Sequence, residues 1–213
     1  MATSWEVVFF SPQRCRYSLG EQAIVYIGLN QDEQVDAAVE TLMTEFADHS
    51  GLIEAVYIIG EEYYYLAVSM NKQGFEAASE EYYRKAIRIL EILIWAPLEQ
   101  ESDLIPDATF AVGRCYERFE EYEIAIEYYK KILEEWPDFR HAATAGYLLG
   151  NCYKEMARAG RMSDAEARTL IIQACQYVID RYPGRRAVGA SRNLLLELEQ
   201  TRKLNVMEDS NEG

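Results

Sequence analysis

Histidine is nearly absent: among 213 residues only His49 and His141 carry an imidazole. Both fall at expected helix-joining turns, and neither belongs to H-E-x-x-H or sits beside a serine or cysteine nucleophile motif, so the common zinc-hydrolase and triad chemistries lack their base. Cysteine is also scarce. Cys15, Cys115, Cys152 and Cys175 form no close pair and no C-x-x-C, which speaks against a zinc site or a disulfide framework and favours a reducing compartment. Gly20, Gly28, Gly60 and Gly74 do not assemble a phosphate loop. The reading is therefore no catalytic residue, no metal and no cofactor. No apolar run approaches the roughly 18 residues that a membrane span needs. The first residues place Glu6 inside their only apolar patch with no basic stretch ahead of it, unlike a secretory leader. The cytoplasm is the expected compartment, and the periplasm the alternative should the true start lie upstream.

Positive charge is the other shortage. Lys and Arg number 21 against 36 Asp and Glu, a net of −15. Residues 1–106 hold 6 basic against 18 acidic side chains, and residues 107–213 hold 15 against 18, so the acid is concentrated in the first half. Such a surface repels nucleic acid and anionic lipid and attracts a basic protein or peptide. It also serves simply to keep the chain in solution.

The chain does carry helical periodicity, clearest from Phe110 to Asp138. Thr109, Gly113 and Tyr116 recur at i, i+4, i+7, and Ala125, Tyr129, Ile132 and Trp136 do the same after a short break. Gly113 and Ala125 lack bulk, so two axes can approach there, while Tyr116 and Tyr129 fill the space beside them. Pro137 ends the pair, having no N–H to continue a helix. With its landmarks Gly113, Tyr116, Ala125, Tyr129 and Pro137, the stretch resembles the tetratricopeptide repeat (TPR), a helix-turn-helix unit of about 34 residues. The resemblance implies an all-α, right-handed superhelical solenoid, here of about eight helices.

Further copies can be placed around it. Residues 1–17, with Trp5, Val7, Val8, Phe9 and Phe10, are expected to form a strap over the first helices or a partner-binding arm. A degenerate repeat spans 18–48, with Asp32 as the cap of its second helix. A repeat with two overlong helices spans 52–97, and Ala96 to Pro106 forms a linker. The best-matching repeat spans 106–139. A repeat with an extended turn capped by Ser163 spans 140–184, a capping helix spans 185–201, and 202–213 reads as an acidic disordered tail. The turns Trp136-Pro137-Asp138 and Tyr182-Pro183-Gly184 resemble those of the TPR subset common in bacterial envelope and assembly proteins.

The family resemblance further implies a concave groove lined by the first helix of each repeat. The residues three before, one after and four after each landmark glycine would project into it: Tyr57, Glu61 and Tyr64, then Phe110, Arg114 and Glu117, then Tyr147, Asn151 and Lys154. Tyr57, Phe110 and Tyr147 would form an aromatic column that either faces a ligand or packs against the neighbouring repeat. Glu61 and Glu117 depart from the Lys/Asn pattern of repeats that grip a terminal carboxylate. Arg181, Arg185, Arg186 and Arg192 crowd the last turn, either solvated or meeting the acidic end of another copy. The function implied is a non-catalytic protein–protein interaction scaffold or adaptor for another protein or a peptide, a basic one fitting best. The alternatives are a structural subunit of a homo- or hetero-oligomer and an accessory or chaperone subunit for a client.

Overall fold

A computed structural model describes residues 12–47, 51–96 and 102–211. Among the described residues there are nine α-helices and no strand: α1 (Pro12–Gly28), α2 (Asp32–Glu45), α3 (Leu52–Lys72), α4 (Glu76–Trp95), α5 (Leu104–Arg118), α6 (Tyr122–Glu135), α7 (Ala142–Arg158), α8 (Asp164–Arg181) and α9 (Arg186–Asn211). No described helix is long and apolar enough to cross a membrane. The apolar residues of the expected strap, up to Ser11, lie outside the described residues, as does His49. The strap's last residues belong instead to α1. A helix can start at Pro12 because the first helical position has no use for an amide N–H. The chain divides into two compact units between Ala108 and Thr109, inside α5.

In the first unit Val35, Val39 and Leu42 of α2, Leu52, Val56, Ile59 and Tyr63 of α3, and Ala86, Ile89 and Leu93 of α4 bury one apolar stripe per helix in a shared core. The α3–α4 pair closes at Gly60. A Cβ there would lie 2.5 Å from Leu90 Cδ2 and 2.6 Å from Leu90 Cγ, so only a missing side chain permits this approach. Near the start of α4, the buried Ser79 Oγ donates to the Ala67 carbonyl at 2.9 Å, leaving no orphaned hydroxyl.

Asp32 does not cap α2. Gln31 holds that position without a side-chain bond, and Asp32 is the first helical residue. Its carboxylate is drawn sideways by two longer-range donors: the Tyr63 hydroxyl reaches Oδ1 at 2.7 Å and Lys85 Nζ reaches Oδ2 at 2.9 Å. Lys85 also pairs with Glu81 and lies over the rings of Tyr82 and Tyr63. One turn on, Arg88 pairs with Asp36 at 2.5 Å. Burial alone would raise the Asp32 pKa, but the bonds from Lys85 and Tyr63 outweigh it and hold the group below its ordinary value.

The second unit repeats the device with different residues. A Cβ on Gly113 would meet Tyr129 Cε1 at 2.9 Å, and one on Gly146 would meet Val178 Cγ2 at 2.5 Å. Gly150, the landmark of the periodic reading, has only ordinary contacts, the nearest to Leu194 at 3.4 Å. The closest approach of α7 to α8 thus falls one turn earlier than the family pattern places it. Ser163 caps α8 as expected, its hydroxyl accepting from the Glu166 N–H. The turns that end α6 and α8 are tied together: the Tyr182 hydroxyl donates to the Pro137 carbonyl at 2.7 Å, and Arg181 pairs with Asp138 at 2.8 Å. Leu194, Leu195 and Leu198 of α9 pack on the core. α9 then continues to Asn211, beyond the expected end of the capping helix and through most of the expected tail. Neither Gly nor Pro occurs between Ala190 and Asn211 to stop it.

Gly60→Ala is expected to lower stability by about 1–3 kcal/mol through overpacking against Leu90, whereas Gly28→Ala, which meets nothing within 4 Å, leaves it unchanged or slightly raised; thermal melts followed by circular dichroism check both. Because the Asp32 pKa is depressed in the folded chain, its stabilisation is present above the unfolded value and lost as pH falls through the folded one. Melts of the wild type and Asp32→Asn should therefore differ at neutral pH and converge below the ordinary carboxylate value of 3.8.

Candidate partner-binding faces

Three of the nine expected site residues lie on α3, in the first unit. The Tyr57 hydroxyl donates to Glu61 Oε1 at 3.0 Å, one turn along. Tyr65, which the periodic reading passed over, donates to the same oxygen from the other side at 3.3 Å. Tyr65 is 57% exposed. Tyr57 and Tyr64 are half-buried on the unit's core, and the Tyr64 ring meets Tyr83 edge-on at 5.8 Å and Tyr65 at 6.1 Å. Burial first, then the Glu61 carboxylate and the field of Asp107, push the Tyr57 phenol above its ordinary range, so it remains a proton donor. Asp107, in the first turn of α5, is itself 8% exposed.

The other six lie on α5 and α7, in the second unit. Phe110 is half-buried in an aromatic group, its ring stacked on His141 at 4.9 Å and 12° and set against Phe139 and Tyr129. His141 holds the N-terminal position of α7 with no side-chain cap bond. Arg114 is exposed and pairs with Glu117 at 3.4 Å, while Glu117 accepts the Tyr129 hydroxyl at 2.7 Å. Lys154 Nζ lies 3.3 Å from Glu197 of α9. The Tyr147 ring packs on the core, and its phenol is raised by burial and then by Glu197 and Glu117.

Two polar groups on this face remain open. The Tyr147 hydroxyl and the Asn151 amide, one turn apart on α7, have no hydrogen-bond partner among the described residues. The aromatic rings thus lean on the cores, and the polar atoms beside them stay available.

A further feature was not legible in the sequence. Between α6 and α8 lies a cavity of about 340 Å³, floored by Leu133, Leu149, Leu170 and Ala174 and rimmed by Lys130, Glu134, Gln173 and Tyr177. None of these residues belongs to the stripe Ala125, Tyr129, Ile132 and Trp136 by which α6 was read, so periodicity carried no sign of an opening.

No protein-family model matches the chain, and no curated protein matches it. Among solved structures it is similar to a single-substitution form of a Podosopora anserina chain assigned as a kinesin light chain and built of nearly identical TPR-like repeats, with 15% identity and a TM-score of 0.51 over 94% of this chain and 92% of that one. The form without that substitution aligns over the same shares at 16% identity and a TM-score of 0.46. At such identity the first likeness shows the fold: an all-α arrangement of TPR-like repeats.

The described residues include no group of three or more His, Cys, Asp or Glu placed to hold a metal ion. Cys115, Cys152 and Cys175 are buried free thiols. Burial pushes all three up, Cys175 to about 11 and the other two further. Thiolate is the reactive form, so none is poised as a nucleophile. In a Cys15→Ser background, the native protein is expected to take up almost no Ellman's reagent at pH 8 and the urea-unfolded protein three equivalents.

Proposed function

We propose that this chain is a non-catalytic scaffold or adaptor that binds another protein through an extended peptide or a helix, using the exposed faces of α5 and α7 in the second unit, with α3 offering a separate face in the first. The fold supports this reading, since TPR-like repeats commonly serve protein interaction. The observation that carries it is the open pair on α7. A hydroxyl and an amide one turn apart offer three donor hydrogens and two acceptor oxygens on a half-exposed surface, matched to the alternating N–H and C=O groups of an extended peptide. Arg114, Glu117 and Lys154 around them set charge and register, while Phe110 and the Tyr147 ring supply apolar contact. On the α3 face Tyr57, Glu61 and Tyr64 do the same. The turns at Pro137 and Pro183 favour an assembly protein of the bacterial envelope type within this reading.

A second reading, a structural subunit of a homo- or hetero-oligomer or an accessory subunit for a client, draws on the apolar-floored cavity between α6 and α8. That opening would take a side chain of a neighbouring subunit rather than a peptide backbone.

The test keeps the packed rings in place. Tyr147→Phe with Asn151→Ala removes polar groups that make no hydrogen bond among the described residues, so the melt should be unchanged. Each lost hydrogen bond is worth about 0.5–1.5 kcal/mol, so a partner identified with the wild type should bind the double variant about 10-fold more weakly. Titration calorimetry reads the difference, and equal affinity would move the interface off α7.

A further inference from the structure

In the first unit, cations and carboxylates are unevenly matched. Lys85 is committed to Asp32 and Glu81, Arg88 to Asp36, and Arg84 to Glu80. Those pairs lie on α2 and α4. On α3 the arrangement differs: Glu61 has two phenols and, among the described residues, no cation. Both hydroxyls converge on Oε1, at 3.0 and 3.3 Å, so Oε2 has no partner among the described residues. Lys72, the remaining cation of α3, is eleven residues on, about 16 Å along the axis at 1.5 Å per residue, beyond reach.

Two phenols holding one oxygen fix the orientation of a carboxylate that would otherwise sample several rotamers. The free oxygen is thereby aimed before anything binds, which reduces the ordering cost of binding. Beside it lie the rings of the half-buried Tyr57 and the largely exposed Tyr65, whose hydroxyls both end at Oε1, with Tyr64 edge-on to the latter. The buried Asp107 adds negative field at Tyr57. An oriented carboxylate oxygen beside aromatic rings, on a strongly acidic unit, complements a planar cation that can donate along its edge and stack along its face. Arginine does both, whereas an ammonium offers only a point charge.

We propose that Glu61, framed by Tyr57 and Tyr65, is a subsite for an arginine side chain of the bound protein partner. This rests on the scaffold reading and specifies one anchor within it. The guanidinium donates to Glu61 Oε2 and lies against the Tyr65 ring. No proton changes hands, because burial and Glu61 keep the Tyr57 phenol protonated and the guanidinium is always charged.

The experiment selects random 12-residue peptides displayed on phage against the full chain, then measures a selected peptide in solution. The expected peptides carry an arginine at one fixed position. The affinity of such a peptide should fall about 10-fold with Glu61→Gln, which keeps an oxygen for the phenols, and about 10-fold when its arginine is replaced by the neutral isostere citrulline. Together the two changes should cost little more than either alone, the signature of direct coupling. Glu62→Gln should leave binding nearly unchanged, whereas general attraction to an acidic surface would weaken it as much as Glu61→Gln does. Peptides without a fixed arginine, additive losses, or equal losses for the two glutamates would overturn the subsite and leave the scaffold standing. Failure to select any peptide would overturn both.

Discussion

Two helices bury a shared stripe only if their backbones can come close, and in this chain that depends on positions where a side chain is missing. Gly60, Gly113 and Gly146 are those positions, each facing a large residue, Leu90, Tyr129 or Val178, that fills the space a Cβ would need. Leu90, Tyr129 and Val178 are themselves fully buried, so they have little room to give way. The same contacts set how the first helix of each pair is rotated, and so which of its residues face outward. The open polar atoms of α7 and the phenol-framed carboxylate of α3 are consequences of that rotation.

The phenols have a second role. Tyr63 and Tyr129 are buried to the ring and end at a carboxylate, Asp32 in one unit and Glu117 in the other. Each joins an apolar core to a charged rim: the ring supplies burial, and the hydroxyl keeps the carboxylate hydrogen-bonded where a phenylalanine would leave it without that donor. A chain with 16 tyrosines against 7 phenylalanines can use this arrangement repeatedly.

What could be read from the sequence was whatever depends on near neighbours. The helix pairs follow from stripes at i, i+4, i+7, and the Ser163 cap follows from a partner three residues away. The role of Asp32 did not, because its donors lie 31 and 53 positions downstream and local rules offered capping as the obvious use. Gly150 looked like the close-contact residue of α7 because it aligns with Gly113, yet the crossing with α8 selects Gly146. Tyr65 escaped notice for a related reason. The family pattern takes Tyr57, Glu61 and Tyr64 as one face, but a carboxylate is reached most directly from one turn before and one turn after, which joins Tyr57 and Tyr65. The cavity between α6 and α8 depends on the spacing of helices across the unit, and residue periodicity does not report spacing.

The bond from Tyr182 to the Pro137 carbonyl, with Arg181 on Asp138 beside it, gives the second unit a mechanical character. The carbonyl of Pro137 follows the end of α6, and it is held by a residue 45 positions later. Tension applied at the C-terminal end is therefore carried partly across the ends of α6 and α8, in parallel with the apolar stripes between the helices. Two helix pairs loaded in this way share strain between the end of α6 and the end of α8.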